Sequence, residues 1–202
     1  MPRSKFIFEP YYYPFDPNFC VTIANFFTPE ECQKIIALGE AQPLQDARVG
    51  DAKIDADSNN KEDKSFRKAT ISWIPQNAET DWMWTKLHNQ IIESNHQNWG
   101  FDLKYMDEDA QYTVYNGDGG HYDYHMDNGQ GQLSVRKISI VVNLNDPEEW
   151  TGGELQLYKD RSQRQGLGNL HLFPSYMLHR VTPVTDGIRR SLVLWSGGSF
   201  YK

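Results

Sequence analysis

The second half of this chain is finely punctuated. From residue 103 onward, short runs rich in β-branched and aromatic residues alternate with turn-forming clusters. The runs are Ala110–Tyr115, Tyr122–Asp127, Lys137–Leu144, Glu154–Tyr158, Asn169–Phe173, Leu178–Val181 and Ile188–Trp195. Between them fall Asn116-Gly117-Asp118-Gly119-Gly120, Asn128-Gly129, Asn145-Asp146-Pro147, Gly152-Gly153, Pro174-Ser175 and Asp186-Gly187. Short strands at such spacing predict an antiparallel sandwich or jelly roll.

The first half reads differently. Thr28 is placed as an N-cap, Pro29 suits the first helical turn, and Glu31 completes a capping box. Cys32, Ile35, Ile36 and Leu38 then make an apolar stripe that Gly39 is expected to end. A second helix is predicted over about 79–94, with Trp84, Leu87, Ile91 and Ile92 on its buried face. Residues 67–74 alternate as a strand with Ala69, Ile71 and Trp73 on one side. The polar stretch 48–66 reads either as a solvated loop or as a lid. The expected fold class is α+β, a β core buttressed by N-terminal helices. One domain spans 1–202, with support over about 1–100 and the core over about 103–202.

Composition narrows the function classes. Lys and Arg total 20 against 27 Asp and Glu, a net charge of −7. That balance disfavours a protein gripping nucleic-acid phosphates, although Arg67-Lys68 and Arg161–Arg164 could still form a local basic groove. No apolar run reaches the roughly 20 residues of a membrane-spanning helix, and no secretory signal core is visible. Two cysteines, Cys20 and Cys32, cannot build a disulfide framework, so a reducing, cytoplasmic setting is expected. The chain's six histidines then carry the functional information.

His121, Asp123, His125 and Asp127 would share one face of a strand, leaving Tyr122, Tyr124 and Met126 on the other. A His-x-Asp pair on one face can chelate a metal ion, and His179 is the candidate third ligand. Two histidines and a carboxylate make the facial triad of non-haem Fe(II) oxygenases. His121-x-Asp123 has the same spacing, but His125-x-Asp127 is preferred because Asn128-Gly129 would end the strand at an open barrel mouth. His88, His96 and His171 read as structural or exposed. Arg189, Ser191, Val193 and Trp195 share a face of the last strand, so a guanidinium would enter an apolar interior. There it would hold a bound carboxylate or pair with an internal acid such as Glu154.

These motifs resemble the 2-oxoglutarate- and Fe(II)-dependent dioxygenases of the prolyl 4-hydroxylase-like, PKHD-type branch. The resemblance runs in order through Tyr115 to Asn128, Gly152-Gly153-Glu154-Leu155, Phe173-Pro174-Ser175 to Val184, and Gly187-x-Arg189-x-Ser191. It covers about residues 105–198 and only loosely the first hundred. It implies a double-stranded β-helix in which His125, Asp127 and His179 bind Fe(II). Arg189 would hold the distal carboxylate of 2-oxoglutarate, with Ser191 and Tyr115 assisting. Relatives often place a second tyrosine on the following strand; here that stretch is Ile140-Val141-Val142-Asn143, so the contact is absent or replaced. The implied reaction consumes O₂, with ascorbate as a stimulant, and hydroxylates an unactivated C–H, foremost a proline of a peptide or protein. The acid at Asp127 separates hydroxylation from halogenation, since halogenating relatives lack it. Arg67, Trp73 and Tyr124 are the candidate substrate contacts. Other readings are the same chemistry on another amino-acid side chain, a small metabolite or a nucleobase, or a non-catalytic jelly-roll binding module. Oligomeric state is not legible.

Overall fold

The computed structural model describes residues 20–47, 64–158, 161–163 and 165–200. In chain order, β1 is Val21–Ile23, α1 Pro29–Glu40, β2 Gln45–Asp46, β3 Arg67–Lys68 and β4 Thr70–Ile74. Helix α2 is Asp81–Asn98, followed by β5 at Leu103–Tyr105, β6 at Ala110–Asn116, β7 at Gly120–His125 and β8 at Arg136–Asn143. Strands β9 (Trp150–Gly152), β10 (Leu155–Leu157), β11 (Arg161–Ser162), β12 (Leu170–Pro174) and β13 (His179–Gly198) complete the fold. All the strand pairings are antiparallel.

Helix α1 starts as its sequence dictates. Glu31 N–H donates to Thr28 Oγ1 at 3.2 Å while Thr28 N–H donates to Glu31 Oε2 at 2.8 Å, so two otherwise unpaired helix-end donors are satisfied. Its end departs from expectation. Gly39 lies inside the helix and is buried, because the Tyr112 ring packs where a side chain would be. Helix α2 begins and ends later than the apolar spacing predicts. The Thr80 hydroxyl is taken by Pro75 O at 2.7 Å, and Asn95 caps the far end by accepting Phe101 N–H through Oδ1. Ile92 is solvent-exposed, and Met83 fills the core in its place.

The strands form a major sheet in the order β1-β12-β8-β13-β6-β4-β2. One face of it carries Ile74, Ala110, Tyr112, Ile138, Ile140, Val142, Leu192 and Leu194 into the helices. Burial of this face is the main cohesive contribution, at roughly 1.5–3 kcal/mol for each fully buried large apolar side chain. Strands β3, β7, β9, β10 and β11 join the first half of β13 in a minor sheet across the other face. The cavity lies between the two sheets.

The two segments expected at 178–181 and 188–195 are one continuous strand. Around Asp186-Gly187 the register slips against β9, and β13 passes from the minor sheet to the major one instead of turning back. The stretch 67–74 divides at Ala69, with β3 joining the minor sheet and β4 the major one. Ile71 and Trp73 do share a face, but that face lines the cavity. The proposed loop or lid at 48–66 lies outside the described residues up to 63.

Candidate active site

Four cavity-lining side chains stand in file on β13: Arg189, Ser191, Val193 and Trp195. Their neighbours across β6 are Tyr115, Thr113 and Gln111, and across β8 they are Asn143, Val141 and Ser139. The minor sheet closes the space with Arg67, Tyr122, His125, Leu155, His179 and Val181. The cavity, open at its rim, has a volume of about 1380 Å³, more than a five-carbon diacid fills.

At one end, His125, Asp127 and His179 each offer a ligand atom, and these atoms lie within 4.8 Å of one another. His125 and His179 are direct cross-strand partners on β7 and β13. Asp127 lies beyond the end of β7, so sheet pairing does not hold it. Its N–H instead donates to Ser175 O at 2.9 Å, and its Oδ2 accepts from Ser139 Oγ at 2.6 Å. The Nδ1 atoms of His125 and His179 meet the carbonyls of Asp123 and Met177 at 2.8 and 2.9 Å. Carbonyls only accept, so each Nδ1 carries a proton and each Nε2 is the nitrogen turned toward Asp127. The Nε2 atoms stand 3.5 Å from Oδ1 and Oδ2 respectively. Burial alone would raise the Asp127 pKa, but His179, His125 and Arg136 hold it well below the ordinary carboxylate range. Burial, with His125 beside it, lowers His179 to about 4, leaving a neutral imidazole at pH 7.

The symmetric alternation expected for residues 121–127 fails, for a physical reason. His179 pairs with His125 and Val181 with Tyr122, so three residues of β7 span two of β13. This bulge shifts the side-chain parity. Tyr122 therefore joins His125 on the cavity side, their rings stacked with centroids 3.5 Å apart. His121 is directed elsewhere, its ring nitrogens on Gly119 O and Ser65 O at 2.8 and 3.0 Å. Its apparent equivalence to His125 is thereby removed. His88 and His96 are exposed on α2. His171 is buried on β12 and meets Thr22 Oγ1 through Nδ1 at 2.9 Å.

At the other end, the Arg189 guanidinium is 1% exposed. Its Nε donates to Gln165 Oε1 at 3.2 Å and an Nη to Ser191 Oγ at 3.4 Å. It also lies 5.4 Å from the centre of the Tyr115 ring. Glu154 is not its counter-ion, being exposed and accepting from Ser162 and Gln156. Among the described residues no carboxylate pairs with Arg189, and burial depresses its pKa. A buried cation without an anion is costly, so this end suits a carboxylate ligand. The Gly152-Gly153 motif has its reason here. Both residues have positive φ, 78° and 61°, and a Cβ on Gly153 would stand 3.0 Å from Arg189 Cδ.

Arg67 and Trp73 line the cavity, Arg67 stacking 4.4 Å from the Tyr122 ring centre. Tyr124 does not line it and instead underlies Arg180 at 4.5 Å. Lys68 pairs with Asp118 at 2.9 Å and Arg67 is buried, so this pair presents no basic groove. Reading the sequence alone misses Tyr122, Ser139, Arg136 and Gln165. Arg136 stacks 3.6 Å over Trp195, forms a bidentate pair with Glu108 and donates to Asp127 O at 3.3 Å. Ser139 stands directly across from Trp195 on the neighbouring strand, a pairing between distant segments that no spacing in the sequence signals.

Comparison with known proteins agrees with this arrangement. The profile of the 2OG-Fe(II) oxygenase superfamily matches residues 110–197. A PKHD-type hydroxylase of Hyphomonas neptunium is 40% identical over 86 residues, covering 39% of this chain and 38% of that protein's length. One from Stutzerimonas stutzeri is 27% identical over 184 residues, covering 86% of this chain and 76% of its own. Among solved structures, a Pseudomonas putida prolyl-4-hydroxylase superposes with a TM-score of 0.67 at 20% identity, covering 90% and 94% of the two chains. A Trichoplax adhaerens prolyl hydroxylase, in complex with a hypoxia inducible factor peptide fragment, gives 0.69 at 19% identity, covering 89% and 84%. The fold is thus the jelly roll of these hydroxylases. Over residues 110–197 the chain is similar to the 2OG-Fe(II) oxygenase superfamily, and its higher-identity matches to PKHD-type hydroxylases span under half of those proteins' length.

Proposed function

We propose that this chain is an Fe(II)- and 2-oxoglutarate-dependent hydroxylase acting on a proline of a peptide or protein. The observation that carries the reading is the pairing of two ends in one cavity. His125, Asp127 and His179 converge at one end, and the Arg189 guanidinium, with no carboxylate partner among the described residues, stands at the other. Two imidazoles and one carboxylate suit Fe(II) and leave positions for further ligands. When bound, iron with 2-oxoglutarate and O₂ supplies the oxidant for an unactivated C–H, while the cosubstrate becomes succinate and CO₂.

The chain's own residues do the positioning. The Met177 and Asp123 carbonyls fix which nitrogen each histidine presents. Arg189 takes the distal carboxylate, with Ser191 and Tyr115 beside it, while Val141 lines the wall across from Val193. Burial pushes the Tyr115 hydroxyl above its ordinary pKa, so it stays protonated and can donate. The apolar wall of Val141, Leu155, Val181 and Val193 excludes water from the reacting centre. Arg67 and Trp73 face substrate, and Phe66, Tyr105, Met126 and Phe200 form an aromatic and apolar rim that suits a peptide.

Both halves of the chain contribute described strands to one catalytic unit, since β2 and β4 extend the sheet that holds Arg189. A cytoplasmic setting and stimulation by ascorbate belong to the same reading; the unpaired Cys20 and Cys32 suit a reducing compartment. No helix among the described residues is long and apolar enough to cross a membrane. The test is Fe(II)-dependent conversion of 2-oxoglutarate to succinate together with mass spectrometry of proline-containing peptides. Succinate with one oxygen gained at proline is expected. Succinate with oxygen gained only on another side chain, metabolite or nucleobase would redirect the substrate. Absence of both metal and 2-oxoglutarate binding would return the fold to a binding module.

A further inference from the structure

We propose that Ser139 restricts Asp127 to one-oxygen coordination of the metal, which keeps the remaining positions for the cosubstrate and O₂. The inference rests on the iron site proposed above. Asp127 stands past the end of β7 and is anchored from three sides. Its N–H donates to Ser175 O at 2.9 Å, its carbonyl accepts from Arg136 at 3.3 Å, and its Oδ2 accepts from Ser139 at 2.6 Å. Ser139 Oγ also lies 3.0 Å from Ser175 Oγ. A hydroxyl has one hydrogen and an ionised carboxylate can only accept, so Ser139 donates to Asp127 and Ser175 donates to Ser139.

Both serines are fully buried. The Ser139 contact is therefore a short hydrogen bond to a charge, away from water. The bond takes one lone pair of Oδ2 and fixes the rotation of the carboxylate, which favours Oδ1 as the coordinating oxygen. A carboxylate released from such a bond can bind through both oxygens. Together with the two imidazoles it would then leave room for a chelating 2-oxo acid or for O₂, but not for both. Ser139 also pairs in register with Trp195 on β13 and belongs to the fully buried β8, so its hydroxyl has no freedom to leave.

The role makes an unusual demand on the variant. Loss of a merely structural bond weakens metal and cosubstrate together. Loss of this one strengthens or preserves metal binding and weakens only the cosubstrate. The experiment is anaerobic titration of wild type, Ser139→Ala and Ser139→Thr with Fe(II), followed by 2-oxoglutarate, monitored by the visible absorption of the iron–2-oxo acid chelate. Thermal unfolding verifies that each variant is folded. For Ser139→Ala the expected result is Fe(II) affinity within about threefold of wild type and 2-oxoglutarate affinity lowered about tenfold or more, with Ser139→Thr restoring it. Parallel weakening of both ligands, or no change in either, would overturn the proposal. If wild type itself binds neither Fe(II) nor 2-oxoglutarate, it is the functional reading that fails.

Discussion

Replacing Arg189 by methionine should separate binding from stability. In the free protein the guanidinium is 1% exposed, with a 3.2 Å bond to Gln165 and a 3.4 Å one to Ser191. Two bonds of that length contribute about 1 kcal/mol each, whereas the effective cost of an unpaired buried ion is several kcal/mol. Methionine fills similar space without the charge, so the ligand-free variant should be more stable by about 1–3 kcal/mol. Cosubstrate binding should move the other way. Losing two charge-assisted bonds at about 1.5–3 kcal/mol each lowers 2-oxoglutarate affinity by a factor of about 10² or more. The assay is thermal unfolding of metal-loaded protein with and without 2-oxoglutarate. At a hundredfold excess over Kd the wild type gains about 2.7 kcal/mol, a rise in Tm of roughly 5–10 °C for a chain of this size. Arg189→Met should start higher and not rise. A variant that starts several degrees lower, or still shows the ligand-induced rise, would refute the reasoning.

His125→Ala and His179→Ala should each lower Fe(II) affinity by about 100-fold or more, while His121→Ala stays within about twofold, as read by equilibrium metal binding. Loss of binding in His121→Ala with retention in His125→Ala would reverse the ligand assignment. Gly39→Ala should destabilise by about 1–3 kcal/mol in urea unfolding, because its Cβ would stand 2.6 Å from Tyr112 Cδ1; an unchanged midpoint would mean the ring can move aside. Burial and the Arg189 charge lower His171 to about 4. Below about pH 6.5 the unfolded chain therefore binds a proton that the folded chain refuses until about pH 4, and stability falls as pH drops through that window. This residue should make the metal-free protein about 2 kcal/mol less stable at pH 5 than at pH 7, and His171→Asn should lose that share of the slope.

The features legible in the sequence are those set by local chemistry. The Thr28–Glu31 capping box and the shared face of Arg189, Ser191, Val193 and Trp195 follow from residues a few positions apart, and they formed as read. Features that depend on distant segments were hidden. The bulge in β7 arises only against β13, so alternation assigned Tyr122 to the wrong face and made His121 look equivalent to His125. Gly39 read as a helix end because its partner, Tyr112, lies far along the chain. Asp186-Gly187 read as a turn, yet here it marks the passage of one strand between two sheets. Ser139 and Arg136 act on Asp127 through contacts that no spacing within a single segment would disclose.

The most direct measurement of the central claim is a crystal structure of the chain loaded anaerobically with Fe(II) and 2-oxoglutarate, with anomalous scattering recorded at the iron edge. A single peak should lie between His125 Nε2, Asp127 Oδ1 and His179 Nε2, with a diacid extending from it to the Arg189 guanidinium. A peak at His121 and Asp123, or a diacid bound away from Arg189, would contradict the account.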